Sequence, residues 1–339
     1  PSSDNKDNKE NNKKEIIILL AAIVAGIIII LLILFLVVLK RKYSKEDDPL
    51  YKYSLGIPKA ELHIHIEGTY EPELVFKIAK RNNITLKYKT VEELRSKYNF
   101  NNLQEFLDLY YEVSNTLRKQ EDFSDLSYAY GTKAYSQGVK YAEIFFDPQS
   151  HLVRNITFET LITGLREGLD KVKKEHSEFD YNLIMCFLRH LSQEDAIETY
   201  EIALPYNQSF IGVGLDSSEK GHPPENFTEV FDRALNDDFH AVAHAGEEGP
   251  ADYIRQAVEL LKVERIDHGY HILDDEKITK SVADKGIPLT LCPISNQKLK
   301  VCPNLKDYKI RTMMEKNLKV TVNSDDPAYF GGYIGDNYY

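Results

Sequence analysis

Eight short runs of apolar and β-branched residues recur along this chain, separated by longer segments whose apolar residues fall three and four apart. No other feature restricts the fold as much. The runs are AELHIHI (60–66), KYAEIFF (140–146), NLIMCFL (182–188), IGVGLD (211–216), HAVAHA (240–245), RIDHG (265–269), IPLTLC (287–292) and KVTVNS (319–324). Between them, segments such as TFETLITGLREGLDKVKK and DYIRQAVELLK carry the spacing of amphipathic helices. Strands joined through helices pair in parallel, and eight such units predict an α/β fold of the (β/α)8 TIM-barrel type. A doubly wound open sheet is the alternative, but no glycine-rich phosphate loop follows the first run.

The ends of the chain carry separate expectations. Residues 1–15 form a polar tail, and the uncharged stretch from Ile16 to Leu39 is long enough to cross a bilayer as a transmembrane helix. Residues 40–54 then read as a charged linker and 55–339 as the barrel. This predicts a membrane-anchored protein with one N-terminal span, residues 16–39, and a catalytic domain on the cytoplasmic face. Only a short segment follows KVTVNS, so the helix that would close the barrel at its C-terminus is expected to be missing.

Composition narrows the ligand. With 42 basic against 53 acidic side chains and a net charge of −11, a general nucleic-acid surface is excluded and a small molecule fits better. The three cysteines, Cys186, Cys292 and Cys302, form no CxxC, so neither a disulfide scaffold nor a thiolate zinc site is indicated.

In a barrel of this kind the chemistry sits at the C-terminal ends of the strands. The first run ends in His63 and His65, which alternate with Leu62, Ile64 and Ile66 and so share one face. The fifth ends in His244, followed by Gly246 and Glu247; the sixth in Asp267 and His268; the eighth in Ser324, Asp325 and Asp326. Histidines collected at one end of several strands point to a chelating pair, His63 and His65, completed by His244 and one aspartate. Three imidazoles and a carboxylate suit a divalent ion, zinc above all, with iron and manganese also compatible. The fourth run carries no lysine that could bridge two ions, so one zinc per chain is expected.

HIHIEG, HAGEEGP, RIDHG and VNSDDPAYFGGY together resemble the metal and catalytic motifs of the adenosine/adenine deaminase family, and FFDPQSH with GLDSSE is similar to its adenine deaminase branch. The resemblance runs from about residue 55 to 337. It implies a zinc-dependent barrel that hydrolyses the 6-amino group of a purine, adenine first, giving hypoxanthine and ammonia in purine salvage. Adenosine or an N6-substituted adenine nucleotide is the alternative substrate. A further alternative is a membrane-tethered purine-binding protein, inactive because its barrel is open at the C-terminus.

Carried over by position, the resemblance assigns His63, His65, His244 and Asp325 to the metal, Glu247 to protonation of ring N1, His268 to the attacking water and Asp326 to N7. Asp147 is expected to line the pocket. Glu219 stands where adenosine-type relatives bring a glycine N–H to N3, and a carboxylate there is expected to accept from the N9–H of free adenine.

Overall fold

The computed structural model describes residues 17–33, 35 and 45–339. The chain divides into two compact units, residues 1–53 and 54–339. In the second unit all eight predicted runs are strands: β1 (Lys59–His65), β2 (Val139–Phe146), β3 (Asp180–Leu188), β4 (Gly212–Asp216), β5 (His240–Ala245), β6 (Arg265–His268), β7 (Leu289–Leu291) and β8 (Val320–Val322). They form one sheet in sequence order, every neighbouring pair parallel. Parallel strands covered by helices are buried on both faces, which is why they read as nearly unbroken apolar runs.

The helices between the strands have local causes. Phe158–Glu175 begins where the Thr157 side chain accepts from Thr160 N, and it buries Leu161, Ile162, Leu165, Leu169 and Val172, the positions its spacing marks. Each such side chain fully removed from water contributes about 1.5–3 kcal/mol. Glu276–Lys285 starts at Asp275, whose carboxylate accepts from Lys277 N and Ile278 N, and it stops at Gly286 in the left-handed conformation.

The barrel closes. Ile64 bridges Asp325 in parallel, His65 N donates to Asp325 O (3.1 Å), Asp325 N donates to His63 O (3.1 Å), and Leu62 N reaches Asn323 Oδ1 (2.8 Å). The expectation of an open barrel, and with it the inactive binding protein, loses its basis. Two short helices, Pro327–Phe330 and Ile334–Tyr338, follow β8, and Gly335 N is tied to Gln137 Oε1 at 2.8 Å. Val320, Thr321 and Val322 stay half-buried.

The expected transmembrane helix is corrected. Among the described residues no helix is long and apolar enough to cross a membrane. Residues 16, 34 and 36–39 of the expected span lie outside the described residues. Apolar composition alone had suggested the span, and the membrane-anchored localisation falls with it.

Candidate active site

The strand ends bring the predicted ligands together. His63 and His65 leave β1 on the same side, His244 lies in β5, and Asp325 follows β8; all four are buried. Asp325 Oδ1 stands 3.2 Å from His63 Nε2 and 3.5 Å from His65 Nε2, and His65 Nε2 is 3.1 Å from His244 Nε2. Ligands of one tetrahedral zinc stand roughly 3.3 Å apart, close to these three separations; the four-residue group within reach of one ion is His63, His244, His268 and Asp325, while His65 groups with Asp325 and Asp326.

The ring nitrogens on the far side fix the tautomers. His244 Nδ1 donates to Leu215 O (3.0 Å), His63 Nδ1 donates to Thr290 Oγ1 (2.8 Å), and His65 Nδ1 lies 3.4 Å from Asp216 Oδ2. Thr290 in turn donates its hydroxyl proton to Asp267 Oδ1 at 2.9 Å, and Arg265 Nε reaches the same oxygen at 3.0 Å. His63 and His244 therefore turn a bare Nε2 lone pair inward, an arrangement that suits a cation. Burial lowers His244 well below the usual histidine range and His65 to about 4, which keeps both neutral and able to ligate. Burial opposes ionisation of Asp325, but His268 and His63 outweigh it and hold that carboxyl well below the usual range.

His268 also comes within ligating reach of His63, His244 and Asp325. Its Nε2 lies 3.5 Å from Asp325 Oδ2 and 3.6 Å from Glu247 Oε1. Asn296 Nδ2 stands 3.4 Å from its Nδ1, and burial lowers the ring's pKa from 6.5 to about 3. Both His268 (φ 61°) and Asp325 (φ 66°) adopt the left-handed region, a strain of order 1–3 kcal/mol each that turns their side chains inward at the strand ends.

Glu247 and Asp326 complete the pocket. Burial, with the Asp325 charge, raises both well above the usual carboxylate range. Glu247 Oε1 and Asp326 Oδ1 are buried without a protein partner. Asp326 is the N-cap residue of Pro327–Phe330, but its side chain makes no capping hydrogen bond there. Asp147 lines the same pocket; its Oδ2 accepts from Tyr110 OH (3.0 Å) and its Oδ1 has no partner. The remaining walls include Leu103, Phe106 and Tyr111.

Glu219 is the exception. Its carboxylate faces away from the pocket and accepts from Gly246 N, Glu247 N, Glu248 N and Gly249 N, which leaves it no part in contacting N9–H. Asp216, Thr290 and Arg189 carry parts of the site that were not anticipated, and Asp267, named at the end of the sixth run, accepts from Thr290. Asp216 ends β4, so the strand-end rule marks it, and Thr290 is a polar residue inside an apolar run. Arg189, fully buried, sends Nη1 to His244 O (2.6 Å) with no local signal in the sequence.

Buried imidazoles around a carboxylate at a barrel mouth, with a further histidine and buried carboxyls beside them, make up a candidate site of a metal-dependent hydrolase. The chain belongs to the adenosine deaminase family, whose model matches residues 58–339. Adenine deaminase of Pseudomonas putida (strain W619) is 53% identical over 290 residues, covering 86% of this chain and 92% of that protein. Adenine deaminase of Acinetobacter baylyi is 52% identical over 282 residues, 83% and 85% of the two chains. The crystal structure of adenine deaminase from Arthrobacter aurescens superposes with a TM-score of 0.81 at 44% identity, over 83% of this chain and 86% of that one. An amidohydrolase from Burkholderia ambifaria, solved with bound zinc, shares the fold (TM-score 0.79, 23% identity, 87% and 82% coverage).

Proposed function

We propose that the protein hydrolyses adenine to hypoxanthine and ammonia, with His63, His65, His244 and Asp325 holding one zinc ion. The observation that carries the chemistry is a set of buried carboxyl oxygens without protein partners, all on residues lining one pocket beside the ligand cluster: Glu247 Oε1, Asp326 Oδ1, Asp147 Oδ1 and Asp216 Oδ1. Adenine offers N1, N3 and N7 as acceptors and N9–H as a donor. The close similarity to adenine deaminases supports the free base as substrate.

Bound there, zinc supplies the Lewis acidity that makes water a nucleophile near neutral pH. The residues do the rest. The His268–Asp325 pair orients the water and takes its proton as the oxygen adds to C6. Glu247, protonated, gives its proton to N1, where negative charge would otherwise build. Asp326, also protonated, donates to N7 and fixes the ring plane. The proton held by the His268–Asp325 pair then passes to the amino group, the C6–N bond breaks and ammonia leaves, while the C6 hydroxyl returns its proton to the Glu247 carboxylate and the 6-oxo purine remains.

The far edge of the ring separates base from nucleoside. Asp147 and Asp216 face one another there; burial and the Glu67 charge raise the Asp147 carboxyl, burial and the Asp147 charge raise that of Asp216, and one of their oxygens accepts from N9–H. Purified protein assayed for ammonia release from adenine and adenosine side by side tests the reading. Turnover of adenosine at least as fast as adenine would falsify it.

A further inference from the structure

The turn that carries Glu247 is folded around a single carboxylate. Four consecutive backbone N–H groups converge on Glu219, Gly246 N on Oε1 at 2.6 Å, and Glu247 N, Glu248 N and Gly249 N on Oε2 at 3.0, 2.7 and 2.7 Å. Gly246 takes the left-handed conformation (φ 72°) that such a nest requires, and a β-carbon at Gly249 would stand 2.7 Å from Glu219 Oε1. Glu219 itself is buried and does not line the pocket. Its charge is balanced by Arg189, which interacts with it electrostatically while binding the carbonyls of His244 and His222.

We infer that Glu219 is a positioning residue for the reaction, holding the 246–249 turn so that the Glu247 carboxyl meets the substrate. The inference rests on the reading of Glu247 as the acid above. Glu219 reaches the pocket through that backbone, and Glu247 is the turn's side chain with an unpartnered oxygen directed into it. A carboxylate suits the place because four N–H donors need roughly four lone pairs and no opposing hydrogen. Glu219→Gln keeps the shape but sets an NH2 group against backbone N–H groups, so the turn shifts while the fold persists.

The test is a double-mutant cycle on the full chain, with kcat and KM for adenine, bound metal and thermal midpoint measured for wild type, Glu219→Gln, Glu247→Gln and the double variant. The expected result is a kcat about 10- to 100-fold lower for Glu219→Gln, with metal content unchanged and KM within about threefold. In the Glu247→Gln background the same change costs less than about threefold, because the residue it positions is already disabled. Losses that multiply in the double variant overturn the inference, as does a rise in KM with kcat intact, which marks direct substrate contact. If Glu219→Gln does not fold, Gly249→Ala, whose methyl group presses on Glu219 Oε1, runs the same cycle with the same outcomes. A wild type inactive on adenine overturns the reading of the site itself; an active wild type with multiplying losses overturns only the role of Glu219.

Discussion

Gly68 and Asp326 share a space that admits only one side chain: a β-carbon at Gly68 would overlap Asp326 Oδ1 and stand 2.7 Å from its Cγ. The glycine of HIHIEG, at the end of the first strand unit, thus shapes the eighth strand's contribution to the pocket. Gly68→Ala must displace Asp326, and a shift near 1 Å in a group that orients substrate costs on the order of 100-fold. The expected outcome is a fall of that size in kcat/KM for adenine. An unchanged kcat/KM would show that Asp326 does not orient the ring.

The ligand and acid roles separate by metal analysis. His244→Ala removes one of the bare Nε2 lone pairs and should abolish bound zinc and activity together. Glu247→Gln removes a proton donor and no ligand, so zinc stays at wild-type stoichiometry while turnover falls roughly 10²- to 10⁴-fold. Elemental analysis beside the ammonia assay distinguishes the two. Full zinc occupancy in His244→Ala would remove His244 from the ligand set.

What the sequence disclosed follows from how far each interaction reaches. HAVAHA coincides with β5 because a buried parallel strand writes its burial directly into consecutive residues. The strand-end rule then marked His63, His65 and His244 without knowledge of their distances, and it left the aspartate open for the family resemblance to supply as Asp325. It failed where direction matters. Glu219 follows β4 where a substrate contact was expected, yet its side chain turns toward backbone that lies 27 to 30 residues away. Thr290 and His63 are 227 residues apart, and nothing local announces their hydrogen bond. The apolar N-terminal run misled for the opposite reason, since hydrophobicity was read there without any packing to test it.

Acid stability should depend on His151. The ring is buried between Arg154, which donates to Nδ1, and Glu67, which accepts from Nε2 at 2.8 Å, so protonating it breaks the Arg154 contact. Burial, with the Arg154 charge, lowers its pKa from 6.5 to about 3. The unfolded chain therefore binds this proton first, and the group's stabilisation, complete above pH 6.5, is lost as pH falls toward 3. Glu67, raised from 4.5 to about 7 by burial, runs the other way and favours the folded state as pH falls from 7 to 4.5. The two oppose each other between 4.5 and 6.5, and below 4.5 only His151 acts. The thermal midpoint of wild type should fall more steeply than that of His151→Asn between about pH 4.5 and 3. Parallel curves in that interval would mean that His151 is protonated in the folded protein.

Preference for the free base should rest on Asp147. Tyr110 OH occupies Oδ2, while Oδ1 is buried, unpartnered and on the pocket wall, so a ligand that brings a donor gains and one that does not leaves the oxygen unsatisfied. Adenine brings N9–H. Adenosine replaces that hydrogen with a ribose and also needs room beside Asp147, where Tyr110 and Tyr111 close the wall. An unsatisfied buried acceptor costs about 1–3 kcal/mol, so Asp147→Asn should lower kcat/KM for adenine on the order of 10- to 100-fold. Adenosine, which never makes the contact, should lose much less, and the ratio of the two substrates should narrow. Measuring both substrates on both proteins decides it: a constant ratio would place the discrimination on Asp216 or on the aromatic wall instead.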